Sequence, residues 1–165
     1  MRSGVRLGID VGKARVGVSR SDPHGMLATP VETVPRDLGG DADLARIAEI
    51  VAELDAFEVI VGLPLNLRGE RTPSTDDAAA FAGRLAARLG GDAAAVRLVD
   101  ERLSTVSAQG QLRQAGRKTK QSRSIIDQAA AVVILQHALD LERARGEAPG
   151  QEAALPEPPE EETRP

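Results

Sequence analysis

The sequence predicts an α/β fold: a three-strand antiparallel meander continued by parallel strands, forming one mixed sheet flanked by helices. Three short strand-like runs precede the first helical pattern. After them strands and helices alternate, the order expected of parallel strands joined by crossovers. Within that alternation Glu58 to Leu63 (EVIVGL) is almost continuously apolar, as a strand buried on both faces in the middle of a sheet should be.

Taken in order, Val5 to Asp10 (VRLGID) and Arg15 to Arg20 (RVGVSR) are separated by VGKA, a spacing suited to a hairpin. A third strand falls within Met26 to Val34, where Pro30 suggests an edge or a bulge. Asp41 to Asp55 places Leu44, Ile47, Ala48, Ile50, Val51 and Leu54 at helical spacing, with Asp41 or Asp43 available as N-cap. The apolar strand 58–63 follows. A second helix is expected over Asp76 to Leu89, with Ser74 and Asp77 as a capping box and Gly90 and Gly91 as its stop. Val96 to Asp100 is the next strand, Ser104 caps a helix running to about Ala115, and Ser124 starts a long helix to about Arg145.

A length of 165 residues suits one domain with an appendage, since domains run to about 100–150 residues. The division expected is a domain over 1–145 and a disordered acidic tail over 146–165, because the tail holds five prolines and six glutamates and has little apolar surface to bury. The absence of cysteine excludes disulfides, Cys-rich zinc sites and a thiolate nucleophile. Neither a signal-peptide run nor a membrane-length apolar stretch occurs, so a cytoplasmic protein is expected. The formal net charge of −4 would by itself argue against a nucleic-acid partner. The tail alone accounts for −5, however, and leaves residues 1–145 at +1. Within them, Arg113, Arg117, Lys118, Lys120 and Arg123 form a basic segment with no acid between, fit for phosphate contacts. With two Phe and no Tyr or Trp, a nucleic acid would be held by shape and phosphate rather than by stacked bases.

Three acidic positions stand at the ends of elements. Asp10 closes the first strand before a Gly-containing turn, where its carboxylate either faces the crevice at the sheet rim or forms an Asx turn. Asp100 and Glu101 close the last strand, and successive residues point to opposite faces, so one of the two can face the first strand. Asp127 precedes AAAVVIL, a helical stretch apolar nearly all round, which leaves room for a dimer contact. Asp127 also completes an S-x-x-D capping pattern with Ser124, and the two readings of it are compatible. Acids converging from distant positions suggest a hard-metal site for Mg²⁺ or Mn²⁺, one ion or two, activating water for phosphodiester displacement. His24 and His137 have no evident nucleophile beside them.

These residues resemble a known family. LGIDVGKARVGVS (7–19), VGLPLNLRGE (61–70), VDERLST (99–105) and the D-x-x-A-A pattern at Asp127 to Ala131 are similar, in order and spacing, to the YqgF family of bacterial RNase H-like nucleases. That resemblance covers residues 5–140 and implies an RNase H-like fold and metal-dependent phosphodiester cleavage. It assigns Asp10, Glu101 and Asp127 as catalytic and metal-binding acids. It also places Lys13, Arg15 and Arg102 on motif positions that contact nucleic acid. The substrate it implies is pre-16S rRNA, processed at its 5′ end in ribosome biogenesis. Four-way DNA junctions are the rival substrate, and a non-catalytic RNA-binding factor is the alternative outside enzymology. The central strand ends in Gly62-Leu63-Pro64, with no carboxylate where the wider RNase H pattern has one, so three acids remain. An actin-like nucleotide-binding protein would share the first motif but needs a second lobe that the chain is too short to supply.

Overall fold

The computed structural model describes residues 1–90, 93–101 and 120–156. Its strands are β1 (Val5–Val11), β2 (Arg15–Ser21), β3 (Ala28–Pro35), β4 (Ala56–Leu63), β5 (Ala95–Asp100) and β6 (Gln151–Glu152). The helices among the described residues are α1 (Ala42–Leu54), α2 (Pro73–Leu89) and α3 (Lys120–Arg145). One sheet runs in the order β3-β2-β1-β4-β5-β6. β1, β2 and β3 form the antiparallel meander, and β4 and β5 continue it in parallel with β1. The apolar run 58–63 lies in central β4, and Pro30 lies in outer strand β3 beside a register shift, as each was expected to. The helix expected over 104–115 is outside the described residues.

The two faces of the sheet differ in kind. β1 alternates V-R-L-G-I-D, and its Val5, Leu7 and Ile9 join Val59 and Val61 of β4 in a core closed by Leu44, Ile47, Phe81 and Leu85 of α1 and α2. On the opposite face Ile134, Leu135, Ala138 and Leu139 of α3 pack on Ile60, Val99 and Ala28. That second face is poor in bulk. At Gly8 a β-carbon would meet Leu135 Cβ at 2.7 Å and the Ala131 carbonyl at 2.8 Å, so the glycine lets α3 lie almost on the strand.

Three boundaries differ from expectation, each for a local reason. α2 begins at Pro73, whose fixed φ and missing N–H suit a first helical position. The capping box is therefore Thr72 with Thr75, while Asp77 binds Arg36. α3 begins at Lys120, a turn ahead of Ser124, because KQSR contains no helix breaker. Ser124 thus lies inside the helix and not at the N-cap position expected of it, and the carboxylate of Asp127 accepts from Arg15. The third difference is the tail. Residues 146–156 are part of the fold: β6 pairs antiparallel with β5, and Ala153 N–H donates to the Val96 carbonyl at 2.9 Å. Arg97 secures this segment, donating to the carbonyls of Pro149 at 2.6 Å and Gly150 at 2.9 Å. Only residues 157–165 of the expected tail lie outside the described residues. A chain truncated after Ala148 is expected to melt a few degrees lower than the full chain. An unchanged melting temperature would restore the boundary at Gly146.

At the edge where β1 and β4 begin, four charged side chains close on one another. Glu142 of α3 accepts from Arg2 Nη2 at 2.7 Å and from Arg6 Nη2 at 3.1 Å, and Arg2 also clasps Glu58 with two bonds of 2.9 Å. Both guanidinium groups lie over the Phe57 ring, at 5.0 and 4.8 Å. Burial alone would raise the Glu142 pKa, but the bonds from Arg2 and the charges of Arg2 and Arg6 outweigh it and lower it from 4.5 to about 2. A depressed carboxylate contributes stability above its unfolded pKa and loses it as pH falls through the folded value. Some 3 kcal/mol should therefore be lost between about pH 4.5 and pH 2. Chemical denaturation across that window should show the loss in the native chain and its absence in Glu142→Gln.

Candidate active site

The other end of the same strands carries unlike chemistry. Asp10 continues the β1 row that begins with Arg6 and Gly8, so it faces α3. Opposite it in the hairpin register is Gly17. A β-carbon at Gly17 would collide with the main-chain carbonyl of Asp127, so only glycine admits the helix there. Ser19 Oγ donates to the Ala131 carbonyl at 2.8 Å and Gln128 Nε2 to Thr33 Oγ1 at 3.1 Å, which fixes this part of α3 along β2 and β3. Asp127 is thereby held next to Asp10. Burial first, and the charge of Asp127 second, push the Asp10 pKa from 3.8 up to about 6.

Arg15, the first residue of β2, donates from Nε to Asp127 Oδ2 at 2.7 Å. Lys13 is exposed in the turn between β1 and β2. The structure also separates the two acids that follow β5. Asp100 is exposed, whereas Glu101 is 5% exposed and its N–H reaches the Leu63 carbonyl at 3.3 Å. The Glu101 carboxylate occupies the space that a Gly62 side chain would fill. Gly62 is one step beyond the Ile9–Val61 pair of the β1–β4 ladder, as Asp10 is. Glu101 is thus brought to the strand beside Asp10.

Among the described residues no group of three His, Cys, Asp or Glu is arranged to hold a metal ion. The Asp10–Asp127 pair fits one: Asp10, pushed toward its acid form by burial first and by the charge of Asp127 second, would be relieved by a divalent cation beside it. Arg102, Arg113, Arg117 and Lys118 lie outside the described residues. Lys120 and Arg123 are placed only by backbone, on the first turns of α3. His24 lies in a turn whose N–H bonds Asp22 at 3.1 Å, and no catalytic role attaches to it.

Arg36 is a residue that no sequence pattern indicated. Its side chain is 4% exposed and it bonds Asp77 of α2 at 2.8 and 3.0 Å, lies 3.6 Å from Asp43 of α1 and stands over the Phe81 ring at 5.3 Å. It also donates to the Gly12 carbonyl at 2.8 Å, and so ties the hairpin turn after Asp10 to both helices of the other face.

Comparison with known proteins places the chain in a family. A family model described as "RuvX: Holliday junction resolvase" matches residues 4–141. The chain belongs to the RuvX family, the YqgF family of the sequence motifs. Its relatives include a protein of Clavibacter sepedonicus named "Putative pre-16S rRNA nuclease", 62% identical over 152 residues and covering 91% of each chain. A Nocardioides protein of the same name is 56% identical over 156 residues, covering 92% of this chain and 97% of its own. Among solved structures, "T. thermophilus RuvC in complex with Holliday junction substrate" superposes with a TM-score of 0.56 at 18% identity, over 90% of this chain and 99% of that one. This RuvX family member therefore has a RuvC-like, RNase H-like fold. No helix among its described residues is long and apolar enough to cross a membrane.

The raised Asp10 pKa has a cost in the RuvX chain. The folded state holds the Asp10 proton to higher pH than the unfolded state, so stability falls as pH rises from about 4 to about 6 and levels off above. In metal-free protein Asp10→Asn should be more stable than the native chain at pH 7, by about 1–3 kcal/mol, with the difference vanishing below about pH 4. Equal stability of the two at pH 7 would show that Asp10 bears no such penalty.

Proposed function

We propose that this RuvX chain is a divalent-metal-dependent nuclease acting on structured nucleic acid, with pre-16S rRNA as its substrate. One observation carries the chemistry: α3 brings Asp127, bonded by Arg15, beside the buried Asp10 from a distant part of the chain, and burial first and the Asp127 charge second push Asp10 toward its acid form. A fold gains nothing from such a pair unless a cation joins it. Asp10 and Asp127 would hold Mg²⁺ or Mn²⁺, with the Glu101 carboxylate over Gly62 of the adjoining strand β4. When bound, such an ion activates water and stabilises the leaving oxygen of a phosphodiester. Arg15 and Lys13, on the hairpin beside the acids, would bind and orient the phosphate backbone, and Arg36 would hold that hairpin in place. The RNA substrate is supported by the names of relatives that share more than half of their residues with this chain along nearly its whole length.

A four-way DNA junction is the second reading, favoured by the description of the matched family. Labelled precursor rRNA and a synthetic junction should be incubated with the native chain, Asp10→Asn and Asp127→Asn in Mg²⁺ and in Mn²⁺. The expected result is cleavage of the rRNA near its mature 5′ end, reduced at least 100-fold by either substitution. Preferential cleavage of the junction would replace the substrate, and cleavage that survives both substitutions would overturn the mechanism.

A further inference from the structure

We propose that Arg15 couples metal loading to substrate: its guanidinium holds Asp127 in the free protein, and a phosphate of the nucleic acid draws it away, releasing Asp127 to the ion. The inference rests on the metal-dependent reading above and adds an order of events to it.

Both backbones that carry the pair are fixed. Arg15 is bonded through its carbonyl to Gly12 N–H at 2.9 Å and pairs with Pro35 of β3. The turn before it is held by Arg36, whose N–H reaches the Ala14 carbonyl at 2.9 Å and whose guanidinium reaches Gly12. The main chain of Asp127 lies on Gly17. What remains free to move is the arginine arm, 38% exposed against 16% for Asp127. Among the described residues the Arg15 guanidinium makes one hydrogen bond, from Nε, out of five N–H donors. The unused donors form the fork that binds a phosphate through two parallel bonds.

The charges make the coupling. A cation 2.7 Å from Asp127 lowers the pull of that carboxylate on a metal ion and repels the ion directly. Moving Arg15 onto a phosphate removes a positive charge from the acids at the moment a scissile strand arrives. By linkage the effect is reciprocal, so metal and nucleic acid each tighten the binding of the other. An arginine committed to phosphate alone would have no reason to be bonded to a ligand of the metal.

Binding of Mn²⁺ to the metal-free full chain, followed by the electron paramagnetic resonance of free Mn²⁺ and without nucleic acid, tests this. Arg15→Gln should bind Mn²⁺ on the order of three- to tenfold more tightly than the native chain, and Arg15→Lys, which keeps the charge, close to the native value. Thermal melting of the three proteins checks that the exposed arm is not a folding element. Equal or weaker binding by Arg15→Gln, or equal tightening by Arg15→Lys, overturns the coupling while leaving the metal reading intact. Failure of both the native chain and Arg15→Gln to bind Mn²⁺ overturns the metal reading, and the coupling with it.

Discussion

The structure depends on how closely α3 can approach the sheet. Gly8 and Gly17 remove the side chains that would hold the helix off, and the contact they permit is with main chain at Ala131 and Asp127 rather than with side-chain tips. A helix packed at ordinary side-chain distance would leave Asp127 well above the strand that carries Asp10. Gly62 plays the matching part on β4, where the missing side chain is the space used by the Glu101 carboxylate. The missing side chains let the backbone of Asp127 lie on β2 beside Asp10 and let the Glu101 carboxylate lie over β4.

The same row of β1 shows two electrostatic regimes. Arg6 begins it, and there each buried acid faces guanidinium groups, so Glu142 is held well below its ordinary pKa. Asp10 ends it, and there acid faces acid with a single guanidinium shared, so Asp10 is held above its own. Burial opposes the charged form at both sites; the difference lies in the partners. One end is a network of paired charges that ties the N-terminus, β1, β4 and α3 together. At the other, among the described residues, the pairing of the acids is left to Arg15.

Sequence made much of this legible, for identifiable reasons. The antiparallel meander continued by parallel strands followed from three successive strand runs and the alternation after them, and Asp10 and Glu101 stood out because they close strands, whereas Asp127 lies inside α3. The face that α3 would occupy was also present in V-R-L-G-I-D, whose alternate residues are aliphatic on one side and Arg, Gly, Asp on the other, a pattern that a plain strand assignment passes over. Other features had no local signal. Arg36 sits in a run of ordinary loop residues, and its importance comes from Asp43, Asp77, Phe81 and Gly12, which only folding brings to it. The strand at Gln151–Glu152 was hidden by composition: prolines and glutamates around it suggest disorder, but two residues of pairing and two bonds from Arg97 suffice to dock it on the open edge of β5.

The near-absence of aromatics acquires a sharper meaning from where the two phenylalanines lie. Phe57 is covered by Arg2 and Arg6, and Phe81 is fully buried beneath Arg36. The rings seat Arg2, Arg6 and Arg36, and neither lies on the hairpin turn that carries Lys13 and Arg15. In the proposed function a nucleic acid would meet Lys13 and Arg15 on that hairpin, whose backbone is clamped by Arg36 and by β3. Such a surface can recognise phosphate spacing and helical shape and has no ring on which to stack a base. In that reading selection of substrate would fall to the geometry of the backbone, with Arg15, bonded to Asp127, as the proposed link between that geometry and the chemistry.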